Sequence, residues 1–248
     1  MRLDRLPRQR CRAEIRLPLT NVPSRCVAIV PLATHIEPEC ERGLLDLERR
    51  GVTVWRRQCH AAIDLGRSQL ASEAHAAGFD EQMWIDSDIG FSADDVDRLR
   101  AHDASFVCAI YPKRGLAELA CHAKPGTTEI LFGELGGHAE MLYVGMGFCL
   151  IRRAVFDGVK EHETLPTCKT GTGVAFEPYF LPMTVAREDG THWYLSEDYA
   201  FCERARRAGH PVIADTRIRL QHVGRYGYSW EDAIGDRQRY ANVKMRLR

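Results

Sequence analysis

Trp84-Ile85-Asp86-Ser87-Asp88 ends an apolar run that begins at Met83 and breaks abruptly into two carboxylates spaced i, i+2. Side chains two apart on an extended strand point the same way. Two carboxylates on one face of a strand's end offer hard oxygen ligands to Mg²⁺ or Mn²⁺. Such a cation commonly holds phosphate oxygens, so the stretch predicts metal-dependent chemistry on a phosphorylated or nucleotide substrate. The competing reading is a pair of turn carboxylates, which are common on loops.

Towards the N-terminus, Cys26-Val27-Ala28-Ile29-Val30 is a β-rich apolar run closed by Pro31, and it reads as a buried strand. Residues 38–50 carry Leu44, Leu45 and Leu47 at helical spacing and end at Gly51. Val52 to Trp55 reads as a second strand. Gly66 to Ala77 reads as a helix through Leu70, Ala74 and Ala77, with Gly78 as its stop. Met83 to Ile85 is the third strand. Ser92 then caps a helix, with Asp95 three residues on. Ser105 to Ile110 is a further strand. This alternation predicts an α/β fold with a mostly parallel central sheet flanked by helices. Ligands of such sheets bind beyond the carboxyl ends of the strands, where Asp86 and Asp88 stand.

The second half is less regular. Met141 to Ile151 is apolar but interrupted by Gly145 and Gly147. Residues 162–191 are rich in Gly, Thr and Pro and read as a long loop of the kind that forms lids or binding loops. Ser196 is expected to cap a helix through Ala208. Pro211 to Ala214 and Arg217 to Leu220 read as short strands, and Ser229 to Leu247 as a C-terminal helix with a basic end.

The chain's 248 residues are 45% hydrophobic and 27% charged, as in an ordinary globular protein. Basic and acidic residues balance at 34 each, so overall charge argues for neither nucleic acid nor membrane. No apolar run approaches the roughly 18 residues of a spanning helix, and the start lacks a secretory apolar core. Nine cysteines with no C-x-x-C pair read as reduced, mostly buried thiols, which points to a cytoplasmic protein. Residues 1–24 form a basic tail: Arg2, Arg5, Arg8, Arg10, Arg12 and Arg16 face only Asp4 and Glu14 within the first twenty positions. That tail is either solvated or an arm for an anionic partner. Residues 25–248 read as one domain.

Three other clusters could carry chemistry. Glu197-Asp198 opens a helix, either as simple dipole complementation or as carboxylates beside a substrate hydroxyl. His222 follows a strand and becomes a ligand only beside a metal. Gly145-Met146-Gly147-Phe148 suggests close approach of backbone to a ligand, or a bulge. Arg225, Tyr226 and Tyr228 follow His222 and could contact phosphates or a ring. No P-loop and no G-x-S-x-G elbow is present.

Taken in order, these stretches resemble the GT-A class of nucleotide-sugar glycosyltransferases, in particular its bacterial and phage members. The match runs through Ala28-Ile29-Val30-Pro31, Gly66-Arg67-Ser68, the D-x-D of Asp86-Ser87-Asp88, Gly145-Met146-Gly147-Phe148, Ser196-Glu197-Asp198 and His222. The resemblance implies a Rossmann-like fold with a smaller antiparallel acceptor-side region, and transfer of a sugar from a nucleoside-diphosphate donor to an acceptor hydroxyl. It implies Mn²⁺ or Mg²⁺ on Asp88 and His222, with Asp86 on the ribose or the metal. Pro31, Thr34, Asp64 and Arg67 would line the nucleoside pocket. Gly145 and Gly147 would let the backbone approach the donor sugar or acceptor, and Asp198 or Glu197 would face the acceptor hydroxyl. The acceptor itself stays open: glycan, lipid-linked, protein or modified nucleic acid. A nucleotidyltransferase of related fold is a second expectation, weakened by Pro31-Leu32-Ala33-Thr34-His35-Ile36-Glu37 where a Gly-rich basic loop belongs. A non-catalytic nucleotide-sugar-binding module is a third.

Overall fold

The computed structural model describes residues 25–59, 62–171, 173–224 and 226–246. The basic tail of residues 1–24 and Arg225 lie outside them. The first half runs β1 (Cys26–Leu32), α1 (Pro38–Arg49), β2 (Thr53–Gln58), α2 (Ile63–Ala76), β3 (Glu81–Ile85), β4 (Ile89–Gly90), α3 (Ala93–Arg100) and β5 (Phe106–Cys108). Next come β6 (Cys121–Ala123), β7 (Glu129–Gly133), β8 (His138–Val144), β9 (Phe148–Arg152) and α4 (Arg153–His162). Then follow β10 (Cys168–Lys169), β11 (Ala175–Phe176), β12 (Met183–Ala186), β13 (His192–Leu195) and α5 (Glu197–Arg207). The chain closes with β14 (Val212–Asp215), β15 (Gln221–Val223), β16 (Gly227–Tyr228), a 3₁₀ turn (Trp230–Ile234) and β17 (Asn242–Arg246).

The α/β class is as the alternation predicts. β1 is buried from Cys26 to Pro31. Its Val27 and Ile29 pack with Leu70, Ala71 and Ala74 of α2 on one face. Its Ala28 and Val30 pack with Leu44 and Leu47 of α1 on the other. Period-two alternation in β1 thus separates two helices onto opposite faces. β2 pairs on one side of β1 and β3 on the other, both parallel. The chain therefore reverses its direction of winding at β1, and the crevice beyond β1 and β3 is a topological switch point. Ser92 and Asp95 form the expected capping box of α3.

The mostly parallel sheet is corrected. The main sheet has eight strands in the order β2-β1-β3-β9-β5-β14-β8-β6. The β2·β1, β1·β3 and β5·β14 junctions are parallel. The β3·β9, β9·β5, β14·β8 and β8·β6 junctions are antiparallel. β9 is inserted against the direction of its neighbours, and its Phe148 to Ile151 are all buried. A strand covered on both faces reads as a continuous apolar run whichever way it points.

Other elements also differ from the sequence pattern. The run from Met141 to Ile151 is two strands, β8 and β9, that pair with different neighbours. α2 begins at Ile63, so Gly66 lies inside it, where a Cβ would stand 2.7 Å from Cys59 Sγ. Residues 162–191 hold β10, β11 and β12 rather than one bare loop. Arg217 to Leu220 is not a strand; the strand is β15, one residue further on. Among the described residues the helix expected from Ser229 to Leu247 does not form. Gly235 takes φ +77 and ends a single 3₁₀ turn, and β17 then pairs antiparallel with β7. Ser196 precedes α5 without capping it through its side chain. The smaller sheets (β10-β11, β12-β13, β16-β15-β4 and β17-β7) are all antiparallel. Among the described residues no helix is long and apolar enough to cross a membrane.

Candidate functional site

The chain leaves β3 at Ile85 and turns at once. The Asp86 amide donates to Gly147 O at 3.0 Å, and Ile89 N closes the turn onto Asp86 O at 3.0 Å. β4 then pairs with β15 in a register that sets His222 opposite Ile89. The Val223 amide donates to Asp88 O at 2.7 Å. Two segments 134 positions apart in numbering (222 minus 88) are thus clamped by backbone bonds, and His222 Nε2 stands 3.5 Å from Asp88 Oδ2.

The tautomer of His222 follows from its other nitrogen. Nδ1 lies 2.8 Å from Pro112 O, a carbonyl that can only accept, so Nδ1 carries the proton. In the neutral ring Nε2 is then a lone pair aimed at a carboxylate oxygen. In that form the pair would offer two acceptors to a shared cation; with Nε2 also protonated, His222 would instead donate to Asp88 Oδ2. Two ligand atoms each about 2.1 Å from one ion stand about 3.0–3.5 Å apart, so the pair fits a shared divalent cation. Arg114 Nη1 reaches the same Oδ2 at 3.1 Å. Burial by itself would raise the Asp88 pKa; His222 and Arg114 outweigh it and hold the carboxyl below its ordinary range.

Asp86 faces another way, so the shared strand face expected of the two carboxylates is corrected: both lie in the turn beyond β3, and Asp88 alone contacts His222. Its Oδ1 accepts from Arg67 Nη2 at 2.8 Å. Arg67, from α2, is buried, and its Nε lies 3.8 Å from Glu197 Oε1 at the start of α5. Burial pulls the Arg67 pKa down, but Asp86 and Glu197 outweigh this and keep the guanidinium charged. Burial and the neighbouring Asp198 push the Glu197 pKa up, against Arg67. Asp198 Oδ1 accepts from Ser196 Oγ at 2.7 Å and from the Tyr199 amide at 2.8 Å.

Gly145 and Gly147 lie in the turn between β8 and β9, not within a strand, and pack closely against the Tyr111 side chain. A Cβ on Gly147 would lie 2.5 Å from Tyr111 Oη and 2.9 Å from Asp86 Oδ2; one on Gly145 would lie 2.6 Å from Tyr111 Oη. The Gly147 amide donates to Tyr111 Oη at 2.9 Å.

The structure thus joins Arg67, Asp86, Asp88, Gly147, Glu197 and His222 through direct contacts, with Asp198 beside Glu197. Pro31 is buried near the end of β1 and pairs with Arg57. Thr34 is exposed in the following loop and meets His35 Nδ1 at 2.9 Å. That loop touches the aspartates through the Glu37 amide, which donates to Ser87 O at 2.8 Å. Asp64 stands half-buried in the first turn of α2, three residues before Arg67. Tyr226 Oη donates to Asp232 Oδ1 at 2.6 Å, away from the aspartates.

Tyr111, Pro112 and Arg114 were not expected. Tyr111 is buried and meets the His222 ring edge-on at 5.2 Å. The signal was present: Tyr111-Pro112-Lys113-Arg114-Gly115 is a basic turn directly after a strand, the position at which such sheets bind ligands.

No protein-family model matches the chain, and no curated protein matches its sequence. Among solved structures the chain is similar to A197 from STIV, at 15% identity and a TM-score of 0.52, over 81% of this chain and 86% of that one. It is also similar to a glycosyltransferase involved in the glycosylation of the major capsid of PBCV-1, at 13% identity and a TM-score of 0.30, over 53% of this chain and 62% of that one. The second score is too low to establish a common fold. The chain therefore shares an α/β fold with A197 from STIV, a likeness of fold alone.

Proposed function

We propose that the chain is a metal-dependent glycosyltransferase of the GT-A type, which moves a sugar from a nucleoside-diphosphate donor to an acceptor hydroxyl. The observation that carries this reading is the approach of His222 Nε2 to Asp88 Oδ2 at 3.5 Å, at the switch point of the sheet. Asp88 and His222 would hold Mn²⁺ or Mg²⁺, which when bound neutralises the diphosphate leaving group as a Lewis acid. Asp86, fixed by Arg67, stands one turn away on the nucleoside side, with Pro31, Thr34 and Asp64 around the ends of β1 and α2. Gly147 keeps a side chain out of the space beside Asp86 Oδ2, and Gly145 does the same beside Tyr111 Oη. Asp198 would accept the proton of the acceptor hydroxyl.

The test is thermal stabilisation by UDP, GDP, ADP, CDP and TDP, with and without Mn²⁺, in the wild type and Asp88→Ala. A ligand that binds only the folded state raises the melting point by mass action. One diphosphate is expected to stabilise only with metal and only the wild type. No shift with any nucleotide under any metal condition would remove the basis for glycosyl transfer.

A further inference from the structure

We propose that Arg114 is an exchangeable counter-ion: it pairs with Asp88 while the site lacks a divalent cation, and moves from Asp88 to the donor's diphosphate when the cation enters. This rests on the metal-dependent reading above.

The argument begins with crowding on one atom. Arg114 Nη1 and His222 Nε2 both converge on Asp88 Oδ2, at 3.1 and 3.5 Å. A divalent ion shared by Asp88 and His222 would use that oxygen and repel a guanidinium held there. One cation must leave, and the two arginines of the site differ in their freedom to do so. The Arg67 side chain is 5% exposed and lies between Asp86 and Glu197. The Arg114 side chain is 51% exposed, and Asp88 is its one ion-pair partner among the described residues.

Its backbone is tied to the candidate metal ligand, which leaves the long side chain as the part that can exchange partners. Pro112 O holds His222 Nδ1 at 2.8 Å, so the ring that would bind the cation is tied two residues from Arg114. Gly115 follows at φ +70, a backbone state that glycine adopts freely. Arg114 lies across Gly224, where a Cβ would stand 3.2 Å from its Cδ. Once off Asp88, a guanidinium on this tether finds its best partner in a phosphate group, whose oxygens match its fork of donors. No covalent bond forms or breaks in this exchange: the Arg114–Asp88 ion pair would be given up, and a divalent cation would take its place on the carboxylate.

The test measures Mn²⁺ binding by the full chain without nucleotide, by electron paramagnetic resonance, in the wild type, Arg114→Gln and Asp88→Ala. Affinity for UDP, GDP, ADP, CDP or TDP is then measured at saturating Mn²⁺. Arg114→Gln is expected to bind Mn²⁺ alone about tenfold tighter, because its competitor is gone, and to bind the preferred diphosphate about tenfold more weakly. Equal Mn²⁺ affinity in wild type and Arg114→Gln overturns the proposal and leaves the metal site standing. Tighter Mn²⁺ with unchanged diphosphate affinity also overturns it, since Arg114 would then only obstruct. Mn²⁺ binding that survives Asp88→Ala, or that is absent from wild type and Arg114→Gln alike even with diphosphate present, instead overturns the metal-dependent reading itself.

Discussion

Arg67 Nη2 donates to Asp86 Oδ1 at 2.8 Å, yet the two members of this pair sit in different surroundings: the arginine side chain is 5% exposed and the aspartate 30%. Arg67 Nε and Nη1 are buried and have no hydrogen-bond partner. The pair is therefore asymmetric. Removing Asp86 strands a buried charge that cannot be neutralised, whereas removing Arg67 leaves a carboxylate that still reaches water. Breaking a buried pair by removing one partner costs about 3–5 kcal/mol when the other stays buried and charged. Asp86→Asn is expected near the lower end of that range, because Glu197 remains beside Arg67. Arg67→Met, which fills the volume and removes the orphaned donors, is expected to cost about 1–2 kcal/mol. Urea unfolding of both variants checks the order; a costlier Arg67→Met would mean that Asp86 is the member that needs the pair.

The contact between Gly147 and Tyr111 makes a second prediction. Gly147→Ala forces a methyl group against a buried hydroxyl and against Asp86 Oδ2, and overpacking of this kind costs about 1–3 kcal/mol. Tyr111→Phe removes the closest atom but also the bond from the Gly147 amide, worth about 1 kcal/mol. The two changes are expected to be non-additive, with Gly147→Ala/Tyr111→Phe more stable than Gly147→Ala alone. Thermal unfolding of the four proteins gives the coupling. Simple additivity would show that the glycine is there for its backbone and not for the space it leaves.

The first half of the fold was legible because each local signal agreed with the global arrangement. Val27 and Ile29 against Ala28 and Val30, Leu44 and Leu47 on α1, and the Ser92–Asp95 box all pointed to helices on two faces of a sheet. β9 was not legible in direction, since a run buried on both faces carries no polarity. Of the helix expected from Ser229 to Leu247, one 3₁₀ turn forms, Trp230–Ile234. The strand signal lay beyond it: Val243 and Met245 are buried while Lys244 and Arg246 are exposed, a period of two rather than 3.6. In the site, Asp86, Asp88, Glu197, Asp198 and His222 stood out by residue type at element ends. Arg67 as the link between Asp86 and Glu197 depends on a crossing of α2 and α5 that no local pattern encodes. Arg114 lay in a loop whose partner became visible only once β4 and β15 were paired.

Asp215 supplies a prediction about acid stability. It is fully buried at the end of β14 and accepts from Arg217 Nη2 at 2.8 Å and from His102 Nε2 at 3.1 Å. Asp215, His102 and His138 present ligand-type atoms within 4.8 Å of one another. Arg217 Nη2 also lies 3.1 Å from His138 Nε2 and so fills the place a cation would take. Burial would raise the Asp215 pKa, but the bonds from Arg217 and His102 outweigh it and hold it at about 2. The folded value lies below the unfolded one of about 3.9, so this stabilisation is complete above about pH 4 and lost as pH falls towards 2. Its full size is on the order of 2 kcal/mol. Arg217→Ala is expected to lower stability at pH 7 and to flatten the fall between pH 4 and 2. Urea midpoints across that range measure it, and a parallel displacement of the whole curve would place the acid sensitivity on other carboxylates.

Glu197 and Asp198 are adjacent, but their orientations assign them different work. Glu197 turns inward to Arg67, whereas Asp198 engages only its Oδ1, with Ser196 and Tyr199, and leaves Oδ2 without a partner among the described bonds. Under the proposed function Asp198 is the candidate for the acceptor's proton, because Glu197 is the carboxylate engaged with buried Arg67. Proton transfer by a positioned side chain contributes typically 10²–10⁴-fold in rate. Under the proposed function, Asp198→Asn is expected to lower kcat by a factor in that range while the stabilisation by nucleoside diphosphate and Mn²⁺ stays unchanged. Glu197→Gln is expected to weaken that stabilisation instead, through Arg67 and Asp86. Turnover and melting shifts measured on both variants separate the roles. If Asp198→Asn turns over at the wild-type rate, Asp198 is not the base, and the turnover of Glu197→Gln tests the other carboxylate.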